Sequence, residues 1–150
     1  MPQKITLEGN SATKFILLGE DDPDDQEMLT EVFSSIDKAF ILFFVNNGSE
    51  VASALEKLKD EQLPCLIVLD YNMPGLNGSE ILKEIGSTLR YEKIPKIVWS
   101  TSRSEQFKKT CLELGAQDYI IKPASHMELE EIARYMLSLC GFPQYTKSKN

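Results

Sequence analysis

The sequence predicts an α/β protein built on a five-stranded parallel sheet with helices on both faces. Three observations support this prediction: five short apolar runs, an amphipathic stretch after each run, and a helix-start signal at each junction. The runs are continuous rather than alternating, which is typical of strands buried on both faces. Successive β-α units join parallel strands through right-handed crossovers. The 150 residues are enough for one such domain.

The five strands follow one another at intervals long enough for a helix between each pair. They are Phe15–Leu18, Phe40–Val45, Cys65–Leu69, Ile97–Ser100 and Tyr119–Ile121. The residues before position 14 are polar and without a period, so residues 1–13 are predicted to be a flexible lead-in. We expect the domain to cover residues 14–140, with a short polar tail at 141–150 and no output domain.

The first predicted helix starts after strand one, where Asp22 can act as its cap and Pro23 suits the first helical position. Its apolar stripe is Met28, Leu29, Val32, Phe33 and Ile36. The second helix follows Asn47, and the third follows Asn77.

The last two predicted helices also begin at hydroxyl side chains. Ser104 precedes the fourth helix, whose apolar residues are Phe107, Cys111, Leu112 and Leu114. Ser125 and Glu128 predict a capping box at the start of the fifth helix. All five helices therefore have a local start signal, which supports the predicted order of elements.

Composition and charge exclude several classes of protein. With 23 acidic and 16 basic residues the net charge is −7, which argues against direct binding to nucleic acid. The longest clean apolar run, Ala39–Val45, has seven residues, far fewer than the ~20 of a membrane-spanning helix. No apolar leader opens the chain, so we expect no secretion. These features predict a cytoplasmic protein.

The cysteines are predicted to be small apolar residues of the core. Cys65, Cys111 and Cys140 lie far apart, no CxxC pair occurs, and the chain has one histidine. This pattern argues against a zinc site and against a disulfide framework, and it fits a reducing compartment.

Polar side chains follow four of the five predicted strands. They are Glu20, Asp21, Asp70, Ser100, Thr101 and Lys122. Because the carboxyl ends of parallel strands meet at one edge of a sheet, we expect these side chains to converge. Crowded carboxylates repel one another unless a cation lies among them. Oxygen ligands without imidazole or thiolate suit Mg²⁺ or Mn²⁺.

This set of residues predicts phosphoryl transfer onto Asp70. An aspartate beside a divalent ion can act as a nucleophile and form an aspartyl phosphate. The ion and Lys122 would offset the charge of the transferred group, and a hydroxyl could donate to one of its oxygens. For the acidic residues Asp24, Asp25 and Glu27 a second interpretation stays open, since acidic side chains also stabilise the first turn of a helix.

Four ordered segments resemble the receiver domain of response regulators. They are FILLGEDD at 15–22, LIVLDYNMPGLNG at 66–78, KIVWST at 96–101 and DYIIKP at 118–123. The spacings, 30 residues from Asp70 to Ser100 and 22 more to Lys122, are similar to those of the family. The resemblance covers 13–140 and implies a flavodoxin-like, doubly wound (βα)5 fold with strand order 2-1-3-4-5.

The resemblance also implies roles for individual residues. Asp70 matches the phosphoacceptor and Lys122 the lysine that pairs with the phosphate. Asp21 matches a direct ligand of Mg²⁺ (or Mn²⁺), Glu20 its neighbour that acts through water, and Asn72 the residue whose backbone carbonyl binds the ion.

Two further positions match the switch residues of the family. Ser100 matches the switch hydroxyl, with Thr101 as the alternative, and Tyr119 matches the switch aromatic residue. A second interpretation of Tyr119 stays open, since an aromatic side chain at the end of a strand often simply packs. Phosphorylation is expected to pull Ser100 toward the phosphate, after which Tyr119 turns inward. The face formed by the fourth helix, the fifth strand and the fifth helix would then bind a partner differently.

The resemblance implies a signalling switch rather than an enzyme. A histidine kinase or a histidine phosphotransfer protein would donate the phosphoryl group, and an unknown protein would read the result. We expect no direct contact with nucleic acid or membrane, and either a monomer or a phosphorylation-dependent homodimer.

Two other function classes fit the residues less well. An aspartate-dependent phosphatase needs a carboxylate two residues after its nucleophile, and that position is Asn72. A flavin-binding module of this fold needs a phosphate-cradling loop after strand one. Here an acidic cluster follows that strand and would repel phosphate.

Overall fold

The computed structural model describes residues 14–141, so the predicted lead-in and nearly all of the predicted tail lie outside the described residues. Its strands are β1 (Phe15–Gly19), β2 (Ile41–Val45), β3 (Leu66–Asp70), β4 (Lys96–Ser100) and β5 (Asp118–Ile121). They pair in parallel in the order β2-β1-β3-β4-β5. The doubly wound, flavodoxin-like fold expected from the sequence is therefore confirmed.

A helix follows each strand. The helices are α1 (Pro23–Ile36), α2 (Val51–Glu56), α3 (Gly78–Gly86), α4 (Glu105–Glu113) and α5 (His126–Leu139). Short 3₁₀ helices lie at Gly48–Glu50, Asp60–Gln62 and Leu89–Tyr91. Each crossover returns the chain to the amino end of the sheet, so all strands end at the same edge.

The predicted caps start the helices. The side chain of Asp22 accepts from the N–H groups of Asp24 and Asp25 and fixes the first turn of α1. The side chains of Ser104 and Ser125 accept in the same way at α4 and α5. A reciprocal capping box occurs at α3, between Asn77 and Glu80, rather than at α5, where only the bond from the N–H of Glu128 to Ser125 forms.

The second predicted helix differs from its prediction. Asn47 caps the 3₁₀ turn Gly48–Glu50 instead of an α-helix, and α2 follows as six residues. The loop after β3 packs closely against this turn: the Gly48 N–H donates to the carbonyl oxygen of Pro74 over 2.8 Å, and a Cβ at Gly48 would lie 2.1 Å from the carbonyl oxygen of Leu76.

Two apolar layers cover the sheet. Helices α1 and α5 pack on one face, against side chains such as Leu18, Val68 and Trp99. Helices α2, α3 and α4 pack on the other face, against Leu17, Leu69 and their neighbours. Each fully buried Leu or Ile contributes roughly 1.5–3 kcal/mol. The sheet edge is thus held rigidly from both sides.

Burial on both faces was expected for every strand, and the two border strands, β2 and β5, depart from it. In β5 Tyr119 is buried and the other three residues are half-buried. Ile41 is 41% exposed, and the next three residues are only half-buried. The reason is topological, because each of these strands has a single neighbour and lies at a border of the sheet. Met28 and Leu112, which the helical stripes placed in the core, are likewise about 40% exposed.

The prediction for two of the cysteines is wrong, and the argument that the cysteines fit a reducing compartment does not hold. Cys65 and Cys140 form a disulfide, with Cα atoms 4.9 Å apart across 75 residues of sequence. The start of β3 and the end of α5 meet at the amino end of the sheet, which spacing along the chain does not reveal. Cys111 is a buried free thiol, as predicted, and burial raises its pKa to about 11.

No helix within residues 14–141 is long and apolar enough to cross a membrane.

Candidate functional site

The carboxyl ends of β1, β3, β4 and β5 surround an open cleft of about 470 Å³. Glu20 and Asp21 directly follow β1, and Asp70 is the last residue of β3. Residues that line the cleft are Asp21, Asp22, Pro23, Asp70, Asn72, Thr101 and Lys122. The topology therefore brings together side chains that are far apart in sequence.

Three carboxylates form the acidic part of the site. Glu20, Asp21 and Asp70 each offer an oxygen atom, and these atoms lie within 4.8 Å of one another. Glu20 and Asp70 are buried, whereas Asp21 is exposed at the opening. Such a set of hard oxygen donors, partly buried and partly open to solvent, fits Mg²⁺ or Mn²⁺, which keep several water ligands.

Lys122 is the cationic part of the site. Its Nζ lies 2.8 Å from Asp70 Oδ2, 2.8 Å from Asp25 Oδ2 and 3.1 Å from Glu20 Oε1. The Trp99 ring lies beneath the same ammonium group, with 4.8 Å between Nζ and the ring centroid. The lysine is thus held among carboxylates and against an aromatic face.

The pKa values of Glu20 and Lys122 both rise. Burial raises the pKa of Glu20 to about 7, and the charge of Asp70 adds to this, against the opposing effects of the Asp22 N–H group and Lys122. Burial alone would lower the pKa of Lys122, but hydrogen bonds to Asp25 and Asp70 raise it above the ordinary lysine value. The site therefore keeps a protonated lysine beside a carboxylate that is costly to ionise.

The backbone after β3 orients the Asp70 carboxylate. Asn72 N–H donates to Asp70 Oδ1 over 3.0 Å, which leaves Oδ2 for Lys122. The loop then turns at Gly75, where φ is +86° and a Cβ would collide with Asn47. The two carboxylate oxygens of Asp70 are thereby held in different surroundings.

Two hydroxyl residues lie at the carboxyl end of β4 and differ in exposure. Ser100 is completely buried, and its Oγ accepts from the N–H of Ser102 over 3.0 Å. Thr101 is exposed and lines the cleft. Both directly follow Trp99, the residue of β4 that pairs with Asp70 of β3.

Tyr119 is buried on β5, and its hydroxyl donates to the carbonyl oxygen of Ser102 over 2.8 Å. The sequence left two interpretations of Tyr119 open, a switch residue that turns inward after phosphorylation and an aromatic side chain that simply packs, and the structure already has the side chain packed inside. The reason is local: the loop after β4 offers an acceptor, and Tyr119 is 6% exposed among the apolar side chains on the α4 face.

Comparison with known proteins agrees with this geometry. The family model for the response regulator receiver domain matches residues 16–134. The chain belongs to this family.

Similar proteins share most of the receiver domain. A two-component response regulator from rice (Oryza sativa subsp. indica), ORR11, is 28% identical over 83% of this chain and 81% of its own length. The phosphorylated cyanobacterial phytochrome response regulator RcpA has a TM-score of 0.76 and 30% identity, over 85% of this chain and 96% of RcpA. The Mn²⁺-bound response regulator Rcp1 has a TM-score of 0.70 and 26% identity, over 91% of this chain and 97% of Rcp1.

Membership places the chain in two-component signalling. Receiver domains are signalling switches, and they generally accept phosphoryl groups from histidine kinases. Phosphorylation and Mg²⁺ binding are typical of the family.

The structure brings together most of the residues that were predicted from the sequence to form the site. Glu20, Asp21, Asp70 and Lys122 converge, and Asn72 and Thr101 border the same cleft. Ser100 lies beneath the loop after β4, and Tyr119 lies beyond that loop, away from the carboxylates.

Sequence reasoning missed two contacts of Lys122. The sequence left open whether Asp25 only stabilises the first turn of α1. It did not predict a contact between Trp99 and Lys122. Each of these two residues has a sequence feature from which its contact with Lys122 could have been predicted. Asp25 is an acid in the first turn of a helix that starts beside the site, and Trp99 is a large ring on an interior strand, next to Ser100.

Proposed function

We propose that this receiver domain accepts a phosphoryl group on Asp70 from the phosphohistidine of a histidine kinase or a histidine phosphotransfer protein. The observation that carries the proposal is the position of Asp70. Its carboxylate opens into the cleft, with one oxygen 2.8 Å from Lys122 and the other held by the N–H of Asn72.

In the proposed step, an oxygen of Asp70 attacks phosphorus while the P–N bond of phosphohistidine breaks. The imidazole leaves with the electron pair of that bond. Lys122 offsets negative charge on the phosphoryl oxygens, because its ammonium group already points at Asp70. The chain's contribution is positioning and charge, so it acts as a switch and not as a classical enzyme.

Glu20, Asp21, Asp70 and the backbone carbonyl of Asn72 would hold the divalent ion. Their oxygen donors fit Mg²⁺ or Mn²⁺, and the relative Rcp1 was solved in an Mn²⁺-bound form. When bound, the ion would neutralise charge on the carboxylates and on the transferring phosphoryl group.

The switch residues proposed for this chain are Ser100, Thr101 and Tyr119. A phosphoryl group on Asp70 adds acceptor oxygens at the sheet edge, and a hydroxyl at the end of β4 would donate to one of them. Ser100 already binds the N–H of Ser102, whose carbonyl binds Tyr119. Movement of this loop would therefore reach the face formed by α4, β5 and α5.

We propose that the partner that binds the face formed by α4, β5 and α5 is another protein. The net charge of −7 disfavours direct contact with nucleic acid. A coupling of about 1–3 kcal/mol would change the affinity for a partner 5–150-fold. The domain would act in the cytoplasm, as a monomer or as a phosphorylation-dependent homodimer.

Intact mass tests the acceptor. After incubation with acetyl phosphate and Mg²⁺, the wild-type protein should gain one phosphoryl group that is lost in mild base. Asp70→Asn should gain none, while its circular dichroism stays unchanged because the two side chains are nearly equal in size. Phosphorylation of the Asp70→Asn variant at the wild-type rate would refute the assignment.

Trp99 fluorescence tests the switch. Beryllofluoride with Mg²⁺ mimics an aspartyl phosphate and should change the emission of Trp99, the single tryptophan of the chain. Ser100→Ala should weaken this change at equal occupancy, and Thr101→Ala should not. The opposite pattern would assign the switch hydroxyl to Thr101, and an unchanged response in both variants would exclude both.

A further inference from the structure

Asp25 contacts the active-site lysine but does not belong to the acidic trio. The trio consists of Glu20, Asp21 and Asp70. Among the described residues, the carboxylates that contact Lys122 are those of Glu20, Asp25 and Asp70. Asp25 is thus the lysine's one carboxylate partner outside the proposed ion and phosphoryl site.

The ammonium group of Lys122 has three N–H donors. Its three carboxylate acceptors lie 2.8, 2.8 and 3.1 Å from Nζ, so each donor has one partner. The Trp99 ring lies against the same group, at 4.8 Å. The lysine is therefore fully coordinated before any phosphoryl group arrives.

The backbone of Asp25 is firmly placed. Its N–H donates to the capping side chain of Asp22 over 3.3 Å. The next residue, Gln26, donates through its side chain to the carbonyl oxygen of Glu20 over 2.6 Å and ties the start of α1 to the end of β1. The side chain of Asp25 is only 25% exposed. This rigid placement makes it a fixed anchor for the lysine.

From this geometry we infer that Asp25 is a positioning residue, which holds Lys122 in line with Asp70 so that the lysine meets the incoming phosphoryl oxygens without rearranging. The inference rests on the proposed function of Asp70. When the ion and the phosphoryl group engage Glu20 and Asp70, Asp25 remains as the lysine's own partner. Without it, the ammonium group would have an unused donor and a wider range of orientations.

The negative charge of Asp25 and its positioning role have opposite effects on the rate of phosphorylation, which makes the inference testable. A negative charge beside the site repels an anionic phosphodonor, so removal of the charge by itself would accelerate phosphorylation. Loss of positioning would slow it. Asp24→Asn is a matched control, because Asp24 is exposed in the same helical turn and is not among the lysine's partners.

The first measurement is the rate constant for phosphorylation by acetyl phosphate at saturating Mg²⁺. Loss of one charge-assisted contact in a positioned group should slow Asp25→Asn about tenfold. Asp25→Glu should recover most of the loss, because it restores a carboxylate within reach. Asp24→Asn should retain the wild-type rate or exceed it. Melting temperatures check that all variants fold.

The second measurement is the ¹H–¹⁵N signal of the lysine ammonium groups by NMR. Lys122 should give a slowly exchanging signal, assigned through its absence in Lys122→Met. Asp25→Asn should broaden or shift it and Asp25→Glu should restore it. The buried ammonium group of Lys96, at the opposite edge of the sheet, serves as the internal reference.

Both measurements must change for the inference to hold. It is overturned if Asp25→Asn is phosphorylated at the wild-type rate or faster, if Asp24→Asn is slowed equally, or if the Lys122 signal is the same in Asp25→Asn. If the wild-type protein takes up no phosphate, the proposed function fails, and the ammonium signal still decides whether Asp25 holds the lysine.

Discussion

Two lysines lie at opposite edges of the sheet, Lys96 buried and Lys122 partly buried, and the groups around them differ. At the carboxyl edge, Lys122 is surrounded by Glu20, Asp25 and Asp70. At the amino edge, Lys96 donates to the backbone carbonyl oxygens of Tyr91 and Ile94, over 2.7 and 2.9 Å. Lys96 therefore has dipoles as its hydrogen-bond partners, whereas Lys122 has charges.

The pKa values of the two lysines move in opposite directions. Burial lowers the pKa of Lys96, and the charge of Glu92 opposes this effect without outweighing it. For Lys122, hydrogen bonds to carboxylates outweigh burial, and the pKa rises. The difference shows that the carboxyl edge has an excess of negative charge, which is suited to a divalent cation. At the amino edge, Lys96 binds backbone carbonyl groups and has a structural role.

The largest expected effect on stability comes from Lys122→Met. Removal of the one ammonium group leaves buried carboxylates without a counter-charge, so the free energy of unfolding should fall by about 3 kcal/mol in the presence of a chelator. Urea denaturation measures this. Mg²⁺ should restore part of the loss, and Lys108→Met, which removes an exposed lysine on α4, should have little effect. Equal losses of unfolding free energy in the two variants would contradict the conclusion that Lys122 neutralises buried carboxylates.

Mg²⁺ should stabilise the carboxyl edge by occupying the acidic trio. At a concentration 100 times its dissociation constant, an ion that binds only the folded state adds about 2.7 kcal/mol. Asp21→Ala should abolish the rise in melting temperature, because Asp21 is the trio's exposed member. Asp24→Asn should keep it. An equal response of wild type and Asp21→Ala to Mg²⁺ would refute the ligand assignment.

The pH dependence of stability should reveal the ionisation of Glu20. Its pKa is about 7 in the folded protein against 4.5 unfolded. Between these values the folded state binds more protons, so stability is greatest below the lower value and declines as pH rises through the upper one. We expect a decline on the order of 3 kcal/mol in a chelator.

Urea denaturation at several pH values, on wild type and on Glu20→Gln, measures this decline. The variant should lack it, and Glu27→Gln, an exposed acid on α1, should retain it. Mg²⁺ should reduce the decline in wild type, because the ion favours the ionised carboxylate. A wild-type stability that is constant from pH 4.5 to 7 would contradict the raised pKa of Glu20.

The smallest expected effect is at the amino edge. Lys96→Met leaves the carbonyl of Ile94 without its partner but also removes a buried charge, so the net loss at neutral pH should be about 1 kcal/mol. Because the folded pKa lies below 10.5, the unfolded chain binds more protons near that pH, and wild type should gain stability there as pH rises. The variant should not.

Phosphate uptake separates the two edges. Lys96→Met should be phosphorylated at the wild-type rate, because its side chain lies at the opposite end of β4 from Ser100. A loss of phosphate uptake comparable to that of Asp70→Asn would show that Lys96 also takes part in phosphorylation.

Local features of the sequence determined the order of elements. Apolar runs predicted each strand to within one or two residues, and Asp22, Asn77, Ser104 and Ser125 cap helices as expected. The convergence of Glu20, Asp21, Asp70 and Lys122 was also predictable, because parallel strands all end at one edge. These features depend on neighbours in sequence or on a general rule of topology.

Tertiary structure decided which side chains meet across the fold. The contact of Asp25 with Lys122, the Trp99 ring beneath that lysine and the pairing of Cys65 with Cys140 all join distant segments. The exposure of β2 depends on its place at the border, and the inward position of Tyr119 depends on an acceptor in another loop. Periodicity and capping carry no information about such pairs, because each contact is set by the packing of whole elements against one another.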